Sequence, residues 1–515
     1  MKKIHLIPFL TLFAIGTLLF SSCEKNDDVI VVTPPPPPPP PPPAPTVKPN
    51  QEFYGISASN VLVKYNANAS DIVIAQVPVT GLQAGENLVT IDFRPATGQL
   101  YGLGSYSRLY VINTETGVAR PIGAGPFTPV VTNEIASFDF NPTVDRIRLV
   151  SYGGQNLRLN PETGAVVAVD GNINNAERIS GIAYTNSFAG ASATTLFDID
   201  GYNLFVQNPP NSGTINKIGS LGLESAGVGG SDFDISPDNK VILVPMTVGT
   251  TNNLYQLDTA TGKLLNLGKL AIPLIGLAIP TNPVAYSTDN ANNLLIFNLS
   301  SPSIAITKPI TGLQAGENIL GIDMRPATGQ LFALGSTSRL YAINMSSGVA
   351  VQVGTGTFTP ALSGTSFGFD FNPTVDRIRL VSNTGQNMRL NPITGLVAAV
   401  DLPLNPGTPA VSAAAYTNNF GGATTTSLYV IDAATDKLYI QTPPNNGTLV
   451  EVGPLGINIT ADNGFDIGGR SGKAYGVFSI GAFTKLYTLD LTTGLALALL
   501  DFPAAAKDFA VGLGF

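Results

Sequence analysis

FDFNPTVDRIRLVS, residues 138–151, recurs without a change at residues 369–382. GLQAGEN at 81–87 returns at 312–318, and RPATGQL at 94–100 returns at 325–331, each at the same offset of 231 residues. AYTN at 183–186 returns at 415–418, one residue further along. Identity this long is a duplication. Each block also shows what was duplicated. In the first, Phe138 to Phe140 reads as strand, Asn141-Pro142-Thr143 carries the residues a tight turn demands, and Ile147 to Val150 resumes as strand. Strand, turn and strand within fourteen residues make a β-hairpin.

Outward from that hairpin the same grammar repeats. In the first half, strands open at Leu88–Phe93, Ala136–Phe140, Ser180–Tyr184, Asp232–Ile235 and Leu274–Ile279. A turn and a second strand follow, then a third such as Arg108–Ile112 or Leu254–Leu257. Next comes a turn of the Thr-x-Thr-Gly kind (Thr114 to Gly117, Thr259 to Gly262) and a short fourth strand. Four short strands in about 46 residues is the arithmetic of a propeller blade. The expected fold is all-β: two tandem β-propeller-like domains of five blades each. A single ten-bladed ring and a β-solenoid are the alternatives. Ring closure is expected from the chain ends, with Phe53 to Val79 supplying outer strands to the blade near Ile275, and Phe509 to Phe515 pairing near Tyr286.

The chain has 515 residues, too many for one core of ~250–300, so two domains suit its length. Apolar residues make up 44% and charged ones 12%, with 54 Gly and 40 Pro, which fits strands joined by many turns. The net charge of -8 argues against a nucleic-acid partner. The only cysteine is Cys23 and the only histidine is His5, both ahead of the repeats. Intrachain disulfides, thiol nucleophiles, Ser-His-Asp triads and His- or Cys-ligated zinc are therefore excluded within the domains. No cofactor and no metal site is expected.

Residues 1–22 read as an export signal: Lys2 and Lys3, then an apolar run from Leu6 to Phe20 too short to span a bilayer. Phe20-Ser21-Ser22-Cys23 resembles a bacterial lipobox, with Phe where Leu is usual, which implies cleavage before Cys23 and its acylation. Glu24-Lys25-Asn26-Asp27-Asp28 resembles the surface-export tag of Bacteroidetes lipoproteins. Pro34 to Pro43 are ten consecutive prolines, a stiff polyproline II spacer of ~30 Å. Residues 23–51 thus form an acidic and Pro-rich linker, 52–282 the first domain and 283–515 the second.

At FRPATGQLYGLG (93–104), SRLYVINTETG (107–117) and FDFNPTVDRIRLVS the chain resembles the bacterial family called domain of unknown function 4394. The resemblance covers both halves. It implies an exported all-β domain and brings no activity, substrate or catalytic residue with it.

Few side chains are left that could carry chemistry. The densest polar group is Asp139, Asn141, Asp145, Arg146, Arg148, Asn156 and Arg158, with Asp370, Asn372, Asp376, Arg377, Arg379, Asn387 and Arg389 as its second copy. Asp92 with Arg94, and Asp323 with Arg325, join it. One reading is structural: Asn141 and Asp145 shape the turn, while Arg146 and Arg148 reach opposite faces and fix blade register. The other is an anion- or sugar-binding site, because an arginine fork binds a carboxylate bidentately. Glu86 and Glu317 recur in GLQAGEN and read as turn residues or as the carboxylates of a glycosidase. The expected role is a lipid-anchored, outer-membrane binding or interaction module, displayed at the cell surface, with a glycan or protein ligand. A carbohydrate-active hydrolase using Asp and Glu, or a structural envelope protein, are the alternatives.

Overall fold

The structure is a computed structural model that describes residues 47–515 apart from 133–134, 174–177, 224–231 and 504. The export signal, Cys23 and the polyproline run lie outside the described residues. Residues 48–515 form one compact unit.

Its described strands make ten antiparallel sheets of four. Numbered by chain order, sheet 2 is Leu88–Phe93, Leu100–Gly104, Arg108–Ile112 and Ala119–Ile122. Sheet 3 is Ala136–Asn141, Arg146–Ser151, Asn156–Leu159 and Val166–Val169. Sheets 4 and 5 follow from Gly181–Tyr184 and Asp234–Ile235. Sheet 1 is different. Its strands Glu52–Ile56, Val61–Asn66 and Ala75–Pro78 open the chain, but its first-position strand, Gly276–Ala278, comes from the end of the half and pairs with Glu52–Ile56. Sheet 6 repeats this device. Val284–Thr288, Asn293–Asn298 and Ser301–Pro309 are completed by Ala510–Val511, with Tyr286 opposite Ala510. Sheets 7 to 10 open at Ile319–Arg325, Phe367–Asn372, Val411–Tyr416 and Asn463–Ile467.

The cores lie between sheets. Tyr101, Leu103, Phe138, Phe140 and Leu149 fill the seam of sheets 2 and 3. Val150, Ile182, Leu196 and Phe205 fill that of sheets 3 and 4. Phe53, Val63, Leu243 and Leu254 pack the last sheet of the first half on its first. In the second half Leu295, Phe297, Val477 and Leu486 do the same for sheets 10 and 6. In each half, therefore, the last sheet packs against the first. Inner strands such as Leu100–Gly104 and Ala136–Asn141 are buried on both faces and lack polar alternation, whereas outer strands such as Val166–Val169 alternate between half-buried and exposed residues. Each large apolar side chain buried this way contributes about 1.5–3 kcal/mol.

The hairpin that opened the reading folds as expected locally. Asn141 Oδ1 accepts from the backbone N–H and hydroxyl of Thr143 at 3.0 and 2.7 Å. Asp145 takes the left-handed conformation (φ 50°), as does Asp376 (φ 51°), a region in which Asp is tolerated better than branched residues.

The halves touch. The Tyr286 hydroxyl donates to the Ala96 carbonyl at 2.9 Å, and the Gly514 N–H donates to the Thr97 carbonyl at 2.8 Å. Arg94 and Arg120 of the first half donate to the carbonyls of Gly329 (3.2 Å) and Ala327 (2.8 Å) of the second. Ala96, Tyr286, Ile296, Met345 and Leu513 share one apolar cluster there.

Candidate functional site

The polar residues singled out by the duplication do not form one site. They separate into three settings, each present twice.

The first is an arginine network between sheets 3 and 4. Arg148 is buried and donates to Asn156 Oδ1 (2.8 Å), Asp170 Oδ2 (2.5 Å) and Asn211 Oδ1 (2.6 Å). Arg158 closes on both oxygens of Asp170 at 2.7 and 2.9 Å. The Asn156 amide donates to the carbonyls of Gly171 and Pro210. Burial alone would raise the Asp170 carboxyl, but the bonds from Arg158 and Arg148 outweigh it and hold the group below its ordinary range. Arg379, Asn387, Arg389, Asp401 and Asn445 repeat the arrangement, with Arg379 at 2.7 Å from both Asn387 and Asp401. Asp170 and Asp401 escaped the sequence reading although they recur at the common offset.

The second is a bidentate ion pair at the turn. Arg94 Nε and Nη2 reach the two oxygens of Asp145 at 2.9 and 2.5 Å, and Arg325 holds Asp376 in the same way at 2.8 and 2.5 Å. In the first copy the pair is sealed under the turn at Gly329, with the Arg94 side chain 0% exposed; in the second the Asp376 side chain is 32% exposed. Arg146 and Arg377 donate to the carbonyls of Asp145 and Asp376. The expectation that Arg146 and Arg148 reach opposite faces is corrected here. Residues two apart share a face of a strand, and the register sets Arg146 against Asn141 and Arg148 against Asp139.

The third setting lies where the first-position strands converge. Asp92, Asp139 and Asp234 are all buried, and one oxygen of each lies within 4.8 Å of the others; Asp323, Asp370 and Asp466 match them in the second half. Each carboxylate ties its sheet to the next. Asp92 accepts from the N–H of Phe93 and from that of Phe140 in sheet 3, Asp139 from Tyr184 in sheet 4, and Asp234 from Ile279 in sheet 1. The same bonds run from Phe371 to Asp323, Tyr416 to Asp370 and Val511 to Asp466. Burial, reinforced by the neighbouring carboxylates, pushes Asp92, Asp139, Asp323 and Asp370 well above the ordinary range. Burial lifts Asp234 to about 8 and Asp466 to about 7. At neutral pH such a trio holds protons in common. In the first half a further carboxylate, Asp232, stands beside it and accepts from Thr90 and Ser137 at 2.5 and 2.7 Å. In the second half the corresponding positions are Gly464, Gly321 and Gly368.

Glu86 and Glu317 are buried turn clamps. Glu86 accepts from the Tyr106 N–H (2.9 Å) and the Tyr110 hydroxyl (2.6 Å), and Glu317 from the Thr337 N–H (2.6 Å) and the Tyr341 hydroxyl (3.0 Å).

No curated protein matches the chain. Among solved structures it is similar, at 13% identity and a TM-score of 0.24, to an extracellular domain ascribed to a one-component system of B. thetaiotaomicron. It is similar, at 11% identity and a TM-score of 0.24, to PorZ, a surface component of the type-IX secretion system of Porphyromonas gingivalis. The matches cover 88% and 90% of this chain and 59% of each of those chains. The sequence profile of one family matches residues 61–278 and again residues 293–510. The chain therefore belongs to the family described as Domain of unknown function (DUF4394), of which it carries two tandem copies.

Proposed function

We propose that each half is a five-bladed propeller and that the protein is a lipid-anchored interaction module of the cell envelope. In this reading it is acylated at Cys23 and held off the outer membrane by the proline spacer. The observation that carries the reading is that the duplicated charged groups are consumed internally. The arginine forks close on Asp170 and Asp401, and the inner carboxylates bond the backbone of the next sheet. These groups act as staples, so recognition falls to the outer surfaces and the seam between halves, and hydrolysis has no exposed carboxylate pair among the recurrent ones.

Fractionation of cells expressing the full chain, with a radiolabelled fatty acid, tests the anchor. The wild type is expected in the membrane fraction carrying label, and Cys23→Ser is expected soluble and unlabelled. Protease added to intact cells is expected to release the repeats. A labelled chain that survives such treatment would place it inside the envelope and end the surface reading.

A further inference from the structure

The seam between the halves is built twice by the duplication, and the two versions differ. In strand register, Tyr54 stands opposite Lys64 and Lys64 opposite Ala75; in the second half Tyr286 stands opposite Ile296 and Ile296 opposite Ile306. By the 231-residue offset, Thr114 and Glu115 correspond to Met345 and Ser346. The second version is apolar and closed: Ile296 and Met345 are each 2% exposed, packed with Ala96 and Ala189 of the first half. The first version is polar and open. Lys64, Thr114 and Glu115, with Arg470 from the other half, border a cleft of about 340 Å³.

The lining has a definite chemistry. Tyr54, Leu62 and Val77 give an apolar wall. Arg470 Nε lies 3.3 Å from Glu115 and its Nη2 3.5 Å from the Tyr54 hydroxyl, which occupies only part of a fork with five N–H donors. Lys64 Nζ sits 5.8 Å from the centre of the Tyr54 ring. Thr114 Oγ1 is buried without a hydrogen-bond partner among the described residues, a condition that a ligand hydroxyl or water would relieve.

We propose that this cleft binds a saccharide bearing a carboxylate, of which a hexuronic acid is the smallest example. Arg470 takes the carboxylate, and Lys64, which is paired with Glu52 at 2.9 Å, borders the same cleft. Thr114 and Glu115 take ring hydroxyls, and the apolar wall takes the C–H face of the ring. The volume is at the lower end for small-ligand sites, which suits one or two sugar rings. The proposal goes beyond the interaction-module reading and is independent of the anchor: solution binding decides one, cell fractionation the other.

The test is calorimetric titration of the full chain, in detergent, with galacturonic acid, glucuronic acid and their disaccharides. Galactose, glucose and acetate serve as controls. Saturable binding of a uronate is expected, at least ~10-fold tighter than any control, with Arg470→Gln weakening it ~10- to 100-fold. Lys64→Ile with Thr114→Met installs the residues of the closed version and is expected to abolish binding at an unchanged melting temperature. Should that double variant fail to fold, the partly exposed Arg470→Gln decides alone. Absence of binding up to ~10 mM uronate, a range that reaches the weakest specific affinities, would overturn the proposal. So would equal binding of neutral sugars or acetate, or binding that Arg470→Gln leaves unchanged.

Discussion

Replacing Asp198 by valine should make the protein more stable. Asp198 lies in the second strand of sheet 4, Leu196–Ile199, and is fully buried. Neither of its carboxylate oxygens has a hydrogen-bond partner among the described residues. Burial drives its carboxyl well above the ordinary carboxylate range, with only partial relief from the charge of Arg148. The duplicated strand, Leu428–Asp432, carries Val430 at the same place, also fully buried, so the backbone already accepts the substitution. A buried polar group without a partner costs about 1–3 kcal/mol, and burying a valine side chain contributes about 1.5–3 kcal/mol. A net gain of about 3 kcal/mol near neutrality follows, or a rise in melting temperature of roughly 5 °C. The gain should depend on pH. Because the folded state binds the Asp198 proton more tightly than the unfolded state, the wild type loses stability as pH climbs from 3.8 towards the raised folded value. The variant lacks that loss, so its advantage should be smallest near pH 4 and largest near pH 8. Calorimetric melting of both proteins at the two pH values measures it. A variant less stable than wild type at pH 8, or a gain of equal size at both, would refute the reasoning.

Arg148→Ala should cost about 3–5 kcal/mol in urea denaturation, because it strands the Asn156, Asp170 and Asn211 acceptors, and Arg148→Lys should fail to restore it for want of a planar fork. A loss below ~1 kcal/mol would mean the network contributes no more than a surface pair. Asp232 and Asp466, lifted to about 7, and Asp234, lifted to about 8, should make stability fall as pH rises from 5 to 8. Asp234→Ala, the residue found at the equivalent Ala183 and Ala278, should flatten that slope, and a melting temperature that climbs over the interval contradicts the assignment. Removing residues 509–515 should leave one edge of Val284–Thr288 unpaired and expose sheet 6 to limited proteolysis, while an unchanged digestion pattern would show that the terminal strand is dispensable.

The strands that open each unit were legible because their boundaries are written locally, in Asn141-Pro142 and in Pro95 to Gly98. The pairing of Phe509–Phe515 near Tyr286 was legible because an unpaired edge at one end of a half needs a partner from the other. The destinations of charged side chains were not. Asp139 and Arg148 are direct cross-strand neighbours, yet the carboxylate turns to the converging strands and the guanidinium to Asp170. Asp92, Asp139 and Asp234 are far apart in sequence and meet only through the packing of separate sheets, which no local pattern encodes. Asp170 could have been found, since it and Asp401 each follow an Ala-Val pair at the repeat offset.

The glycines of the second half bear on how freely the two copies could trade parts. A Cβ at Gly321 would lie 2.8 Å from that of Phe369, one at Gly368 2.6 Å from that of Ala414, and one at Gly464 2.3 Å from the main chain of Asp508. There the central strands close up on bare backbone, whereas Thr90, Ser137 and Asp232 prop the first copy apart with bonded side chains. Recombination, which long tandem identity invites, would be harmless along the shared hairpins. Carried into these strands it would jam one centre and leave a gap in the other, so the two centres are not interchangeable within this chain.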